Sequence, residues 1–321
     1  MSATRPWVLV CGSIAVDFVG KYDGSFENYQ DCYEINALNI SLQLTDLRTS
    51  FGGCGMNITY GLHKLLIPVV PLTAAGANYM EHYHQHLTEM GIDTSHIAID
   101  KSLPRCATAL VISDNHGNQI TGFHAGASSS PLRELPSEIT NIEHCRLAIL
   151  APEDAPIMLL QARDLSELGI PIIFDPGQGI SEFTKPEIRE LLELSSVTIT
   201  NSHEFEILQY NSELSAKEII SMLDRVIVTR GINGVDIYGS GSEHRVDSVR
   251  DVQIVDPTGC GDAFRAGYIY GLMHDQNPET CARLGCVLAA INLENVDTQT
   301  YEIEETTLRV RYKKTYGVPL P

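Results

Sequence analysis

The residues best suited to chemistry lie together in Asp256-Pro257-Thr258-Gly259-Cys260-Gly261-Asp262. Pro257 lacks an N–H and resists helix, Gly259 and Gly261 flank Cys260, and Ala263, Phe264, Ala266, Tyr268, Ile269, Leu272 and Met273 follow with helical apolar spacing. The stretch reads as a loop that turns into a helix. About three or four N–H groups at such a start have no partner inside the helix, and the macrodipole adds positive charge, so the turn is a seat for a phosphate oxyanion. An acid at the mouth of a purely binding site would repel its ligand. Asp262 makes sense as a base that takes a proton from a hydroxyl attacking phosphorus, while the amides of Gly259, Cys260 and Gly261 stabilise the transferred charge. The plain alternative is an ordinary glycine-rich loop with an exposed first-turn acid.

The elements that must position this turn alternate between strand and helix. Trp7-Val8-Leu9-Val10-Cys11 is a continuous apolar run ending at Gly12-Ser13, the pattern of a buried parallel strand. Asp17, just past it, stands where open α/β sheets bind ligands, or serves as a turn acid. Alternating runs at 33–36 and 38–44 predict an inserted β-layer, after which Gly52-Gly53-Cys54-Gly55-Met56-Asn57 turns into a helix. Further strands are expected at 68–75, 97–99, 147–150, 171–174, 196–200 and 226–229, and helices at 79–90, 155–168, 268–274, 281–294 and 302–313. Runs at 107–113 and 118–123 flank Asp114-Asn115-His116-Gly117, a hairpin signal. With the earlier insert, this hairpin makes a small sheet over the cleft, where a lid would keep water from competing as acceptor. His82, His84 and His86 do not share one helix face and read as a solvated polar surface rather than a metal site. Asn201-Ser202-His203-Glu204 is a capping box, with Asn201 accepting and Glu204 reaching back.

A chain of 321 residues can bury a large core. Its formal net charge of -19 argues against nucleic acid as a partner, and any phosphate ligand needs local donors or Mg2+ to neutralise it. The eight cysteines form no CxxC pair and have no zinc-ligand spacing, so reduced thiols are expected. Residues 1–6 carry no leader pattern, and no apolar stretch is long enough to span a bilayer, which points to the cytoplasm and away from a membrane.

Asp-Pro-Thr-Gly-Cys-Gly-Asp-Ala-Phe-Arg-Ala-Gly at 256–267 resembles the C-terminal signature of the ribokinase (PfkB) family of carbohydrate and nucleoside kinases. Motifs similar to the family's follow its order at 12–17, 52–57, 201–204 and 229–234. The resemblance implies one three-layer ribokinase-like α/β domain over 1–321, with a mostly parallel central sheet, helices on both faces, and a small β-sheet lid from insertions at about 15–50 and 107–124. It further implies ATP-dependent transfer to the ribose 5′-hydroxyl of a nucleoside, most closely as in bacterial adenosine kinases. Asp262 would be the base. Ser13, Asp17, Gly52, Gly53, Asn57, Phe123 and Gln178 would meet the nucleoside, Asp17 gripping two ribose hydroxyls and Phe123 stacking on the base. Thr229, Gly231, Gly234, Thr258, Arg265 and Asn292 would serve ATP, and Asn201 and Glu204 would order Mg2+ through water.

Alternatives stand beside several of these roles. Phe123 equally suits packing inside the lid, Gln178 a structural loop, and Arg265 an exposed surface position. Arg230 departs from the usual apolar residue of the family's ATP turn. Ala109 stands where some adenosine kinases carry a second aromatic, which leaves inosine and other nucleosides as acceptors. The absence of a basic cluster in the N-terminal half disfavours a phosphorylated sugar. K+ is a further candidate cofactor, and exposed lid edges offer a route to a homodimer. A non-catalytic regulator with this fold is the reading from another class, and the intact Asp262 with its glycines speaks against it.

Overall fold

Continuous apolar strands need cover on both faces. In the computed structural model, which describes residues 5–29, 40–81, 83–116, 118–239 and 241–321, β1 (Trp7–Cys11) sends Val8 and Val10 into one core and Leu9 and Cys11 into another. The run expected at 33–36, the start of that at 38–44, His82 and Gly117 lie outside the described residues.

The chain continues through β2 (Ala15–Tyr22), β3 (Leu44–Gly52), α1 (Cys54–Lys64), β4 (Val69–Gly76), α2 (Tyr83–Met90), β5 (Ile97–Asp100), β6 (Thr108–Ser113) and β7 (Gln119–His124). Then come β8 (Cys145–Leu150), α3 (Ala155–Glu167), β9 (Ile172–Phe174), α4 (Lys185–Leu194), β10 (Val197–Asn201), α5 (Ser202–Ser212), α6 (Ala216–Met222) and β11 (Arg225–Thr229). The last elements are β12 (Val235–Gly239), β13 (Ser242–Val246), α7 (Cys260–Met273), α8 (Pro278–Leu293) and α9 (Glu305–Tyr316).

The large sheet has nine strands in the order β13-β12-β11-β10-β9-β8-β1-β4-β5. Its pairs are parallel except at the β11-β12-β13 edge. Ile58, Leu62, Ile269, Val287 and Leu308 bring α1, α7, α8 and α9 onto one face, and Met158, Ile188, Leu208 and Ile219 bring α3 to α6 onto the other. This is the expected three-layer α/β arrangement. The small sheet has four strands in the order β3-β2-β6-β7, with β2 and β6 parallel and the outer pairs antiparallel.

Two local expectations change. The single helix expected at 79–90 is a 3-10 turn at Ala77–Met80 followed by α2. No helix was expected at 185–194, yet Thr184 and Glu187 close a capping box there, with Pro186 in the first turn. Among the described residues no helix is long and apolar enough to cross a membrane, and seven cysteines are free.

Candidate active site

Gly259 caps α7 at φ 73°, a left-handed conformation that glycine adopts without strain. A side chain there would also collide, because its Cβ would lie 2.6 Å from Thr298 Cγ2. The ladder of α7 begins with Ala263 N–H donating to the Gly259 carbonyl at 2.9 Å, so the amides of Gly261 and Asp262 precede it, as an anion seat requires. Upstream, Asp256 Oδ1 accepts from Thr258 N–H at 2.9 Å and forms the turn that aims the loop. Asn292, expected to line the adenine pocket, is buried on α8. It is 1% exposed and donates its Nδ2 to the Thr258 carbonyl at 2.8 Å, bracing the loop from beneath.

Asp262 is buried on the first turn of α7. Its Oδ2 accepts from Asn57 Nδ2 at 2.8 Å, and the Cys54 thiol is a second donor to the carboxyl. Burial pushes this carboxyl above the ordinary range, against the pull of Arg265, Asn57 and Cys54, and the charge of Glu204 adds to the rise. Asn57, expected at the sugar, is thus already bonded to the candidate base. Its Oδ1 lies 2.8 Å from Thr298 Oγ1 and accepts from Gln299 Nε2 at 3.0 Å. Gln299 Nε2 also donates to Tyr83 Oη at 2.8 Å, which turns Gln299 Oε1 toward His86 Nε2 at 3.1 Å. These bonds together orient the Asn57 carboxamide with its NH2 toward Asp262. His86 is therefore only half solvated: its ring stacks on Phe51 with centroids 4.3 Å apart.

Arg265 corrects another expectation. It is 6% exposed rather than a surface residue, and its guanidinium faces inward to an ion pair with Asp175, donating Nη2 to Oδ1 at 2.6 Å. Nη1 donates to the Gly261 carbonyl at 2.9 Å, so the pair ties the first turn of α7 to the end of β9. A phosphate contact from Arg265 would have to compete with Asp175.

At the end of β10, Asn201 Oδ1 accepts from Glu204 N–H and Glu204 Oε2 from Asn201 N–H, both at 2.8 Å. Glu204 is buried, and its charge reaches Asp262 and Asp175. No group of three or more His, Cys, Asp or Glu converges on a metal position among the described residues. One carboxylate completed by water and phosphate oxygens is a usual Mg2+ setting, and Glu204 fits that donor set.

On the small sheet, Asp17 lies within β2 rather than in a loop after β1. Its Oδ1 accepts from Ala109 N–H at 2.9 Å, and a Cβ on Gly52 would fall 2.2 Å from Oδ2, so only glycine leaves room beside this carboxylate. Burial raises Asp17 to about 6, the Ala109 amide opposing and the Asp262 charge adding to the shift. Phe123 pairs with Ala109 and is 65% exposed, which removes the alternative of packing inside the sheet. Ser13 is buried at the N-terminal end of α1, where its carbonyl accepts from Met56 N–H at 3.3 Å beside Gly53, the cap residue. Gln178 is exposed on the 3-10 turn after β9.

Thr229 ends β11, and Gly231 (φ 55°) and Gly234 (φ 89°) shape the turn that follows. Arg230 in that turn pairs with Asp236. Cys54, Asp175, Thr298 and Gln299 are site residues that the sequence reading missed. Asp175 alone had a visible signal, an acid closing a buried apolar strand.

The pfkB family carbohydrate kinase model matches residues 7–305. A nucleoside kinase of Methanocaldococcus jannaschii is 27% identical over 267 residues, covering 82% of this chain and 85% of that one. The structure of Burkholderia thailandensis nucleoside kinase in complex with inosine superposes with a TM-score of 0.87 at 30% identity, covering 97% and 99% of the two chains. The same enzyme in complex with ADP-inosine gives 0.86 at 30% identity over 98% and 97%. The chain belongs to the pfkB family of carbohydrate kinases, ribokinase-like phosphotransferases that act on an alcohol group.

Proposed function

We propose that the protein is an ATP-dependent nucleoside kinase that phosphorylates the ribose 5′-hydroxyl of adenosine, with Asp262 as general base. The observation that carries this reading is that Asp262 is buried at the head of α7, held by Asn57, and close enough to Asp17 for its charge to raise that carboxyl. One carboxylate then accepts from ribose hydroxyls while the other faces the attacking one.

In this mechanism Asp17 holds the vicinal hydroxyls and Phe123 covers the base from the lid. Asn57 holds the Asp262 carboxylate in line, and its NH2 has a second N–H for the sugar. Asp262 takes the 5′-hydroxyl proton as the oxygen attacks the γ-phosphorus, and the amides at Gly259 to Gly261 receive the charge of the transferred group. Thr229, Gly231, Gly234 and Thr258 line the ATP side. Mg2+, held through water by Asn201 and Glu204, would neutralise phosphate charge.

A broad nucleoside acceptor range is the second reading. It is favoured by Ala109, which puts a methyl group rather than a ring beside Phe123, and by the inosine bound to the Burkholderia relative. The whole chain acts as one kinase domain, and Leu47, Leu110 and Ile120, exposed on the lid, give it a surface for a homodimer.

The test is phosphate transfer from ATP with Mg2+ to adenosine, inosine, guanosine, cytidine and ribose, read as 5′-monophosphate and repeated in K+ and Na+ salts. Adenosine monophosphate is the expected product. Transfer to ribose alone would make it a sugar kinase, and nucleoside binding without any transfer would leave a regulator.

A further inference from the structure

Arg48 lies on β3, in the lid, yet its side chain reaches the loop before α7. Nη2 donates to Asp256 Oδ2 at 2.9 Å and Nε donates to Asp297 Oδ1 at 2.9 Å. The two acids are themselves joined, because Asp297 N–H donates to Asp256 Oδ2 at 3.2 Å. Asp256 meanwhile holds Thr258 N–H with its other oxygen. The guanidinium therefore closes a ring of three residues, and one member of that ring sets the turn of the anion loop.

The contact continues on its far side. Thr298, next to Asp297, lies with Oγ1 2.9 Å from the Phe51 carbonyl of β3 and packs against the position where Gly259 could carry no side chain. Asp297 adopts φ 67°, a left-handed conformation that a short acid tolerates and that turns its carboxylate toward the lid. Arg48 keeps about a third of its side chain in water, at 34%, so its charge pairs add little to global stability. They bear instead on geometry: β3 pairs with β2, Ser50 opposite Asp17, so the strand that faces the ribose acid and the loop that faces phosphate are joined through one fork.

We propose that Arg48 is a positioning residue that couples closure of the lid over the nucleoside to the alignment of the 256–261 anion loop. The fork is required, since a lysine ammonium is a point charge that cannot hold both carboxylates in one plane. The inference rests on the kinase reading above, and its test separates the two.

Arg48→Ala, Arg48→Lys and Asp297→Ala are compared with the full-length protein by steady-state kinetics and by amide hydrogen exchange without ligand. Arg48→Ala is expected to lower kcat by about tenfold or more, as loss of alignment does, with KM for nucleoside within about threefold. Arg48→Lys should recover only a small part, added guanidinium ion should restore Arg48→Ala in part, and adding Asp297→Ala to it should cost nothing further. Exchange at Thr258 to Asp262 should quicken while β8 and β9 stay protected. An unchanged kcat, or a fall in kcat fully recovered by lysine, overturns the coupling. If the wild type transfers phosphate to no nucleoside, the kinase reading fails, and unchanged exchange in Arg48→Ala still overturns the latch independently.

Discussion

The large sheet is covered on both faces, and Leu9, Ile149 and Ile227 within it are fully buried. The small sheet leaves Leu47 59%, Leu110 47%, Ile120 48% and Phe123 65% exposed. The difference maps onto the two halves of the proposed reaction. The proposed base and anion loop stand on a helix clamped by Asn57, Arg265 and Asn292, where small displacements would be costly. In the proposed mechanism, recognition of the base of the nucleoside falls to a thin sheet that has less buried packing to lose by moving.

Removing the carboxylate at the rigid end is the strongest probe of this contrast. Asp262→Asn is expected to lower kcat by about 10²- to 10⁴-fold, read in the nucleoside assay, with the fold intact by circular dichroism. Turnover at the wild-type rate would remove Asp262 from the chemistry. Arg265→Met attacks the clamp instead and leaves Asp175, 1% exposed, as an unpaired buried acid. A loss of about 3–5 kcal/mol in urea unfolding is expected, partly recovered by adding Asp175→Leu.

At the exposed end the same size of change should matter less for stability and more for affinity. Phe123→Ala should weaken nucleoside binding by about 1–3 kcal/mol, the worth of a base stacked on a ring, with the melting midpoint almost unmoved. Equal loss of stability at Phe123 and Arg265 would erase the distinction between the sheets.

Acidity sharpens it with the smallest step. In the proposed mechanism Asp17 and Asp262 act as carboxylates; Asp17 is raised to about 6 and Asp262 is raised by burial, so activity is expected to be lost as pH falls and each is protonated. A pH profile of kcat/KM should fall as pH drops through about 6, whereas ordinary carboxylates would hold it to about 4. Stability moves the opposite way at these two groups, because the folded state binds their protons more tightly than the unfolded chain does.

The parts of the fold that were legible share a local cause. Buried strands such as β1 and β11 declare themselves as apolar runs, and the glycines of 259–261 mark a turn by themselves. Helix α4 was equally legible through Thr184 and Glu187 and was overlooked. The clamps around the site were not legible, since they join residues distant in sequence: Arg48 reaches Asp297 across 249 positions and Asn57 reaches Asp262 across 205. No periodicity records such a contact. Arg265 misled for the same reason, because an arginine five residues past Cys260, the first residue of α7, suggests an exposed head until Asp175 is brought beneath it.

The parallel pairing of β2 with β6 has a kinetic consequence. Asp17 and Ala109 bond across 92 residues, and the strands that carry them can meet only after the chain between has been drawn into place. Loop closure of that kind is slow, and β1 meets β8 across a longer stretch still, Trp7 opposite Cys145; the lid is expected to assemble last because its strands bury little apolar surface to hold the closure once made. The single tryptophan, Trp7 on β1 between β8 and β4 in the large sheet, should then regain its native fluorescence before catalytic activity returns.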